Sequence, residues 1–132
     1  MAGYSGTPLP KKLGIAAGTS VALLAAPPGV IDDLPAGVNV KRQARGRADV
    51  VVAFFTDRRR LEGRIEAMAQ MIYPAGGLWI AWPKRASGMA TTVDENVVRE
   101  VALPMGLVDN KVCAIDETWS GLRVVWRLDR RR

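Results

Sequence analysis

Asp49-Val50-Val51-Val52-Ala53-Phe54-Phe55-Thr56-Asp57 is the stretch on which the fold turns. Val50, Val51, Val52, Phe54 and Phe55 are strong strand formers, and an unbroken apolar run of this kind suits a strand buried on both faces. Asp57 is placed as a helix N-cap, its carboxylate accepting a backbone N–H of the next turn. Beyond it Leu61, Ile65, Met68 and Ile72 recur at helical spacing and draw one apolar stripe. Arg58 and Glu62 form an i,i+4 pair elsewhere on that helix, in the less favourable order. Pro74-Ala75-Gly76-Gly77 turns the chain, and Leu78 to Trp82 reads as the next strand. Strand, helix and strand in this succession make a right-handed crossover of a parallel sheet.

Upstream, Ser20 to Ala25 is a second continuous apolar run, ended by Pro27-Pro28-Gly29. Ile31 to Leu34 has room for one helical turn. Val38 to Val40 is a short, weak strand whose polar continuation, Lys41 to Arg47, suits an edge. Downstream, Thr92 and Glu95 have capping-box spacing for a helix through Val97, Val98, Val101 and Ala102, ending at Gly106. Lys111 to Ile115 and Leu122 to Trp126 are further strands, and the link from Asp116 to Gly121 pairs them as a hairpin. The pattern predicts a single three-layer α/β domain. Its sheet is mostly parallel, of about six strands with helices on both faces, and ends in an antiparallel C-terminal hairpin. Residues 1–12 form an N-terminal arm, 13–127 the domain and 128–132 a basic tail. Tyr4, Leu9 and Leu13 give the arm apolar anchors for docking.

Composition sets limits. The chain has 132 residues, 48% apolar and 24% charged, the balance of one globular domain. It holds no histidine, which removes the commonest general base and metal ligand and the Ser-His-Asp and Cys-His arrangements. Zinc at a Cys/His site is excluded; only carboxylate-bound magnesium or calcium remains conceivable, and no loop has calcium-site spacing. No metal and no cofactor are expected, and no catalytic residue is assigned. Cys113 is the only cysteine; between Val112 and Ala114 it reads as a small buried hydrophobe.

The net charge is +6, much of it in Arg127, Arg130, Arg131 and Arg132, offset by Asp129. Such a tail can attract nucleic acid, though a solvated terminus has the same composition. Lys11-Lys12 and the apolar stretch to Ala26 mimic a signal peptide. Gly14 and Gly18 break that stretch, and Val21 to Leu24 is needed as a strand. No apolar run approaches the ~20 residues that span a bilayer. The expectation is a cytoplasmic protein with no membrane partner.

The topology brings Pro27-Pro28-Gly29, Thr56-Asp57-Arg58, Lys84 to Gly88 and Asp116 to Ser120 to one rim, at the carboxyl ends of the strands. Lys84, Arg85 and Ser87, opening directly after Trp79-Ile80-Ala81-Trp82-Pro83, form either an anion clamp or a solvated loop with incidental charge. Asp116, Glu117, Trp119 and Ser120 lie on the same rim. Two carboxylates near two cations suit acid–base work or, in the absence of a nucleophile, ion pairs that tie loops together. Trp119 is placed to stack on a ring or to bury itself against the rim. The expected contact at this face is an anionic ligand or an acidic protein partner.

Strand, helix, Pro74-Ala75-Gly76-Gly77, strand, helix, Gly106-Leu107 and a strand hairpin resemble the C-terminal half of class I methyltransferases, Rossmann-like folds that bind S-adenosylmethionine. A closer similarity is to an uncharacterised actinobacterial family, domain of unknown function 3052. It runs from Tyr4-Ser5-Gly6-Thr7-Pro8-Leu9 through Lys11-Lys12-Leu13-Gly14-Ile15 to Val108-Asp109-Asn110-Lys111-Val112-Cys113-Ala114-Ile115 and Asp116-Glu117-Thr118-Trp119-Ser120-Gly121-Leu122. That similarity covers nearly the whole chain and implies no activity. The methyltransferase resemblance implies a glycine-rich turn after the first strand and an acidic residue ending the second. Here the turn reads Ala25-Ala26-Pro27-Pro28-Gly29, whose prolines remove two amide donors, and Val40 is followed by Lys41 and Arg42. No Asn-Pro-Pro-Tyr-like catalytic turn follows Phe54-Phe55. The reading that follows is a methyltransferase-like binding or regulatory module without methyl transfer. The alternative is a divergent enzyme using S-adenosylmethionine or a nucleotide, with Asp116 or Glu117 as acid or base.

Overall fold

The computed structural model describes residues 7–131; Tyr4 and the start of the arm, and Arg132 at the end of the tail, lie outside the described residues. Its strands are β1 (Ser20–Leu24), β2 (Asn39–Lys41), β3 (Val50–Phe54), β4 (Gly77–Pro83), β5 (Leu107–Ala114) and β6 (Trp119–Trp126). Its α-helices are α1 (Leu9–Lys12), α2 (Arg58–Ile72) and α3 (Glu95–Ala102). The six strands form one sheet in the order β2-β1-β3-β4-β6-β5. β2, β1, β3 and β4 run parallel, and β6 and β5 pair antiparallel as the C-terminal hairpin. This is the single α/β domain that the alternation of apolar runs predicts.

β3 lies near the middle of the sheet and is buried over its whole length. Alternate residues point to opposite faces. Ala22, Leu24, Val51, Ala53, Leu78 and Ile80 face α2 and α3, where Leu61, Ile65, Met68 and Val98 complete one apolar cluster. Trp126 Nε1 donates to the Ala69 carbonyl at 2.8 Å and fastens α2 to β6.

The second face departs from the expectation of helices on both sides. Val21, Leu23, Val52, Phe54, Trp79 and Trp119 are covered by Leu13, Ile15 and Ile31. The third layer is therefore the single turn of α1 and coil. The segment joining β1 to β2 holds Pro27, Pro28 and Pro35 and places Gly29, Asp33 and Gly37 at left-handed φ of 72°, 53° and 74°. Three such interruptions exclude a helix, and the turn expected over Ile31 to Leu34 is absent.

In its place the N-terminal segment docks. Trp79 Nε1 donates to the Leu13 carbonyl at 2.9 Å, and Lys12 Nζ to the Ala114 carbonyl at 3.2 Å. Leu13 is 1% exposed, so this part of the chain is core.

Helix starts follow local chemistry. Asp57 caps α2, accepting from Arg59 N at 3.3 Å. Asp94, not Thr92, caps α3, accepting from Val97 N at 2.8 Å. Thr92 is engaged elsewhere: its Oγ1 accepts from Arg58 N at 2.8 Å. Glu95, the other half of the expected capping box, pairs with Arg99 one turn on.

Candidate functional site

The carboxyl edge carries the rim that the topology predicts, but its residues divide between structural work and free surface. Asp116 Oδ1 accepts from Thr118 N and Trp119 N, both at 2.8 Å, closing the hairpin turn. Lys84 Nζ donates to the Asp116 carbonyl at 2.6 Å, and Lys84 N to the Thr118 carbonyl at 2.7 Å. Ser87 Oγ donates to the Lys84 carbonyl at 2.7 Å within a 3-10 turn, Arg85–Ser87. Trp119 is buried and meets Phe54 edge to face, ring centroids 5.1 Å apart. Ser120 sits in β6 opposite Trp82. Arg85 and Glu117 are exposed. The loop thus ties β4 to the hairpin. Lys84, Arg85 and Ser120 share an open cleft of about 790 Å³ with Thr91, Asp94 and Glu95; the lining of that cleft does not include Asp116, Glu117 or Trp119.

A second concavity lies nearer the middle of the same edge. It measures about 520 Å³, within the range of small-molecule sites. Leu24 and Ala25 bring the end of β1 to it, and Phe55 and Thr56 the end of β3. Arg60, Arg64 and Met68 line it from α2, one turn apart in succession and therefore on one stripe. Arg42 and Gln43, just past β2, close the remaining side. The lining combines apolar Leu24, Phe54, Phe55 and Met68 with three arginines and holds no carboxylate.

The backbone around this cavity explains its shape. Ala25 adopts a left-handed φ of 56°, a conformation that glycine takes without strain. The turn after β1 therefore has the geometry of a glycine turn with a methyl group built on it. Thr56 is held from above, its carbonyl accepting from Thr92 N and Thr91 Oγ1, both at 2.9 Å. Lys41 Nζ donates to the carbonyls of Arg45 and Arg47 at 3.1 and 2.9 Å, folding the loop after β2 into a tight cap.

Neighbouring arginines are neutralised. Arg58 binds Glu62 at 3.0 Å and Glu100 at 2.8 Å, and hydrogen bonds to those carboxylates raise its pKa. Arg99 binds Glu95 and Asp109, its pKa raised chiefly by the hydrogen bond to Asp109. By contrast Arg42, Arg60 and Arg64 make no ion pair with any carboxylate among the described residues. Arg60 and Arg64 at i,i+4 were visible in the sequence as a like-charged pair beside Met68; that Arg42 faces them depends on β2 lying beside β1, which no local pattern states.

Cys113 is partly buried, and desolvation pushes its thiol up despite nearby Lys12, Lys111 and Lys84. This is the setting of an inert thiol rather than a nucleophile. Among the described residues no group of three or more acidic or cysteine side chains is placed to hold a metal ion. Nor, among them, is any helix long and apolar enough to cross a membrane.

No family model and no curated protein matches the chain. The likeness to domain of unknown function 3052 therefore rests on the quoted residues alone. Among solved structures, the fibrillarin pre-rRNA processing protein of Methanococcus jannaschii superposes with a TM-score of 0.59 at 12% identity, over 95% of this chain and 71% of that one. The N-methyltransferase NodS of Bradyrhizobium japonicum gives 0.56 at 15% identity, over 88% and 90%. Magnesium protoporphyrin IX methyltransferase of Synechocystis, with bound S-adenosylmethionine, gives 0.50 at 14% over 72% of this chain, which spans only 47% of its length. At these identities the likeness establishes one thing: the chain has the Rossmann-like fold of the class I S-adenosylmethionine-dependent methyltransferases.

Proposed function

We propose that this chain is a small-molecule-binding domain that takes a nucleoside-type ligand, S-adenosylmethionine or a nucleotide, in the cavity at the carboxyl ends of β1 and β3. The observation that carries the reading is the position of that cavity. It opens past the carboxyl ends of neighbouring parallel strands, where open α/β sheets take their ligands. The fold, shared with S-adenosylmethionine-binding and N-methyltransferase structures, supports the same ligand class.

The lining favours binding over proton transfer. Arg42, Arg60, Arg64, Gln43 and Thr56 offer guanidinium, amide and hydroxyl groups, which orient a ligand through hydrogen bonds, and the lining holds no carboxylate, cysteine or histidine. The loop of Lys84, Arg85 and Ser87 remains a second candidate for an anionic ligand or acidic partner. It is weaker, because Lys84 and Ser87 are bonded within the loop and to the hairpin.

The test is ligand titration followed by amide chemical shifts. A ligand at 100 times its dissociation constant should stabilise the fold by roughly 2.7 kcal/mol. Shifts at Ala25, Gln43 and Thr56 support the site. Shifts confined to residues 84–95 and 116–120 move it to the rim loop and overturn this assignment.

A further inference from the structure

The geometry points to a phosphate-bearing nucleotide, a nucleoside di- or triphosphate, as the ligand of the β1–β3 cavity, in preference to S-adenosylmethionine; the inference rests on the site proposed above and names what it selects. Arg42, Arg60 and Arg64 converge on one concavity from two unconnected elements, the loop after β2 and the side of α2. Arg60 and Arg64, one turn apart, repel each other, and no carboxylate among the described residues pairs with either or with Arg42. Guanidinium groups form forked hydrogen bonds to phosphate oxygens. Three of them match the charge of a di- or triphosphate. Leu24, Phe55 and Met68 line the same concavity and offer apolar surface suited to the face of a base.

S-adenosylmethionine fits this lining poorly. Its sulfonium and ammonium groups are cations that would meet cations and no carboxylate in the lining, and its single carboxylate offers three guanidinium groups far less negative charge than a di- or triphosphate. The position just past β2, where a ribose-binding acid would stand, carries Arg42, and Lys41 before it points its ammonium into its own loop. The turn after β1 carries the Ala25 methyl where a glycine would carry none, and is followed by Pro27 and Pro28, which have no N–H to offer a ligand.

The experiment is calorimetric titration of the full chain with ADP, ATP, S-adenosylmethionine, S-adenosylhomocysteine and a single-stranded oligonucleotide at fixed ionic strength. It is repeated on the double variant Arg60→Gln, Arg64→Gln. Both positions are exposed, and an unchanged melting temperature verifies folding. The expected result is ADP or ATP binding that weakens at least tenfold in the variant and with added salt, while the S-adenosyl compounds bind more weakly. Tighter binding of an S-adenosyl compound, unchanged or improved in the variant, overturns the phosphate selection and leaves the cavity as the site. Nucleotide binding that the variant does not weaken also overturns it. No binding of any mononucleotide or S-adenosyl compound at millimolar concentration removes both the selection and the site. An oligonucleotide that binds more tightly than ADP and is lost in the variant makes the face a nucleic-acid contact and overturns the nucleotide pocket.

Discussion

Ala25 compresses the question of this chain into one residue. Its φ of 56° is the conformation of a glycine turn, yet it carries a side chain and faces the candidate cavity. A left-handed backbone costs a non-glycine residue about 1–2 kcal/mol, and glycine returns part of that through its looser unfolded state. Ala25→Gly is therefore expected to raise stability by about 0.5–1 kcal/mol, read as a higher urea midpoint at unchanged slope. A loss of stability would show that the methyl packs usefully. At this scale the sequence was half legible. The replacement of a glycine-rich turn could be read directly, but the left-handed angle at Ala25 could not, because it depends on where β1 ends. Lys84 and Asp116 show the converse. Their charges suggested a ligand, whereas the fold engages the Lys84 ammonium with a carbonyl and the Asp116 carboxylate with backbone N–H groups. Sequence shows that a polar group is present but not which backbone group lies within its reach.

Among the elements, strands were the most legible and connections the least. Apolar runs place β1, β3 and β4 within a residue or so of their observed limits, because burial on both faces leaves no polar position to blur them. Thr92 has the chemistry of a cap for α3, but a hydroxyl looks the same in sequence whether it serves its own helix or, as here, the start of α2. The turn between α2 and β4 is more constrained than its composition alone reveals. A Cβ on Gly76 would lie 2.8 Å from the Asp49 carbonyl oxygen and 3.0 Å from those of Ala48 and Ile72. All three are backbone atoms, so nothing nearby can rotate away. Gly76→Ala is expected to destabilise by roughly 1–3 kcal/mol in denaturant unfolding. Gly77, whose Cβ would find as its nearest atoms the movable end of Arg123, should accept alanine at smaller cost.

For the molecule as a whole, the unexpected feature is the face that lacks crossover helices. Leu13 and Ile15 do there what a helix does elsewhere in such sheets, and Leu13 is fully enclosed. Leu13→Ala is expected to cost about 2–5 kcal/mol and to lower a single cooperative transition rather than create an early one. A separate low-stability phase would mean that the segment is only an appendage. The cationic character is distributed as well: α2 carries both the paired Arg58 and Arg60 and Arg64, which pair with no carboxylate among the described residues, so the net charge of +6 says little until the carboxylates are located. The bond from Lys12 to the Ala114 carbonyl joins positions 102 residues apart. Synthesis proceeds at roughly 5–20 residues per second. Leu13 and Ile15 therefore leave the ribosome roughly 5–20 s before Ile115 and Trp119, with which they share a core cluster. During that interval both faces of the nascent sheet are incomplete, one lacking Ile115 and Trp119 and the other Leu122, Val124 and Trp126, so its exposure to chaperones is set by elongation rate as much as by equilibrium stability.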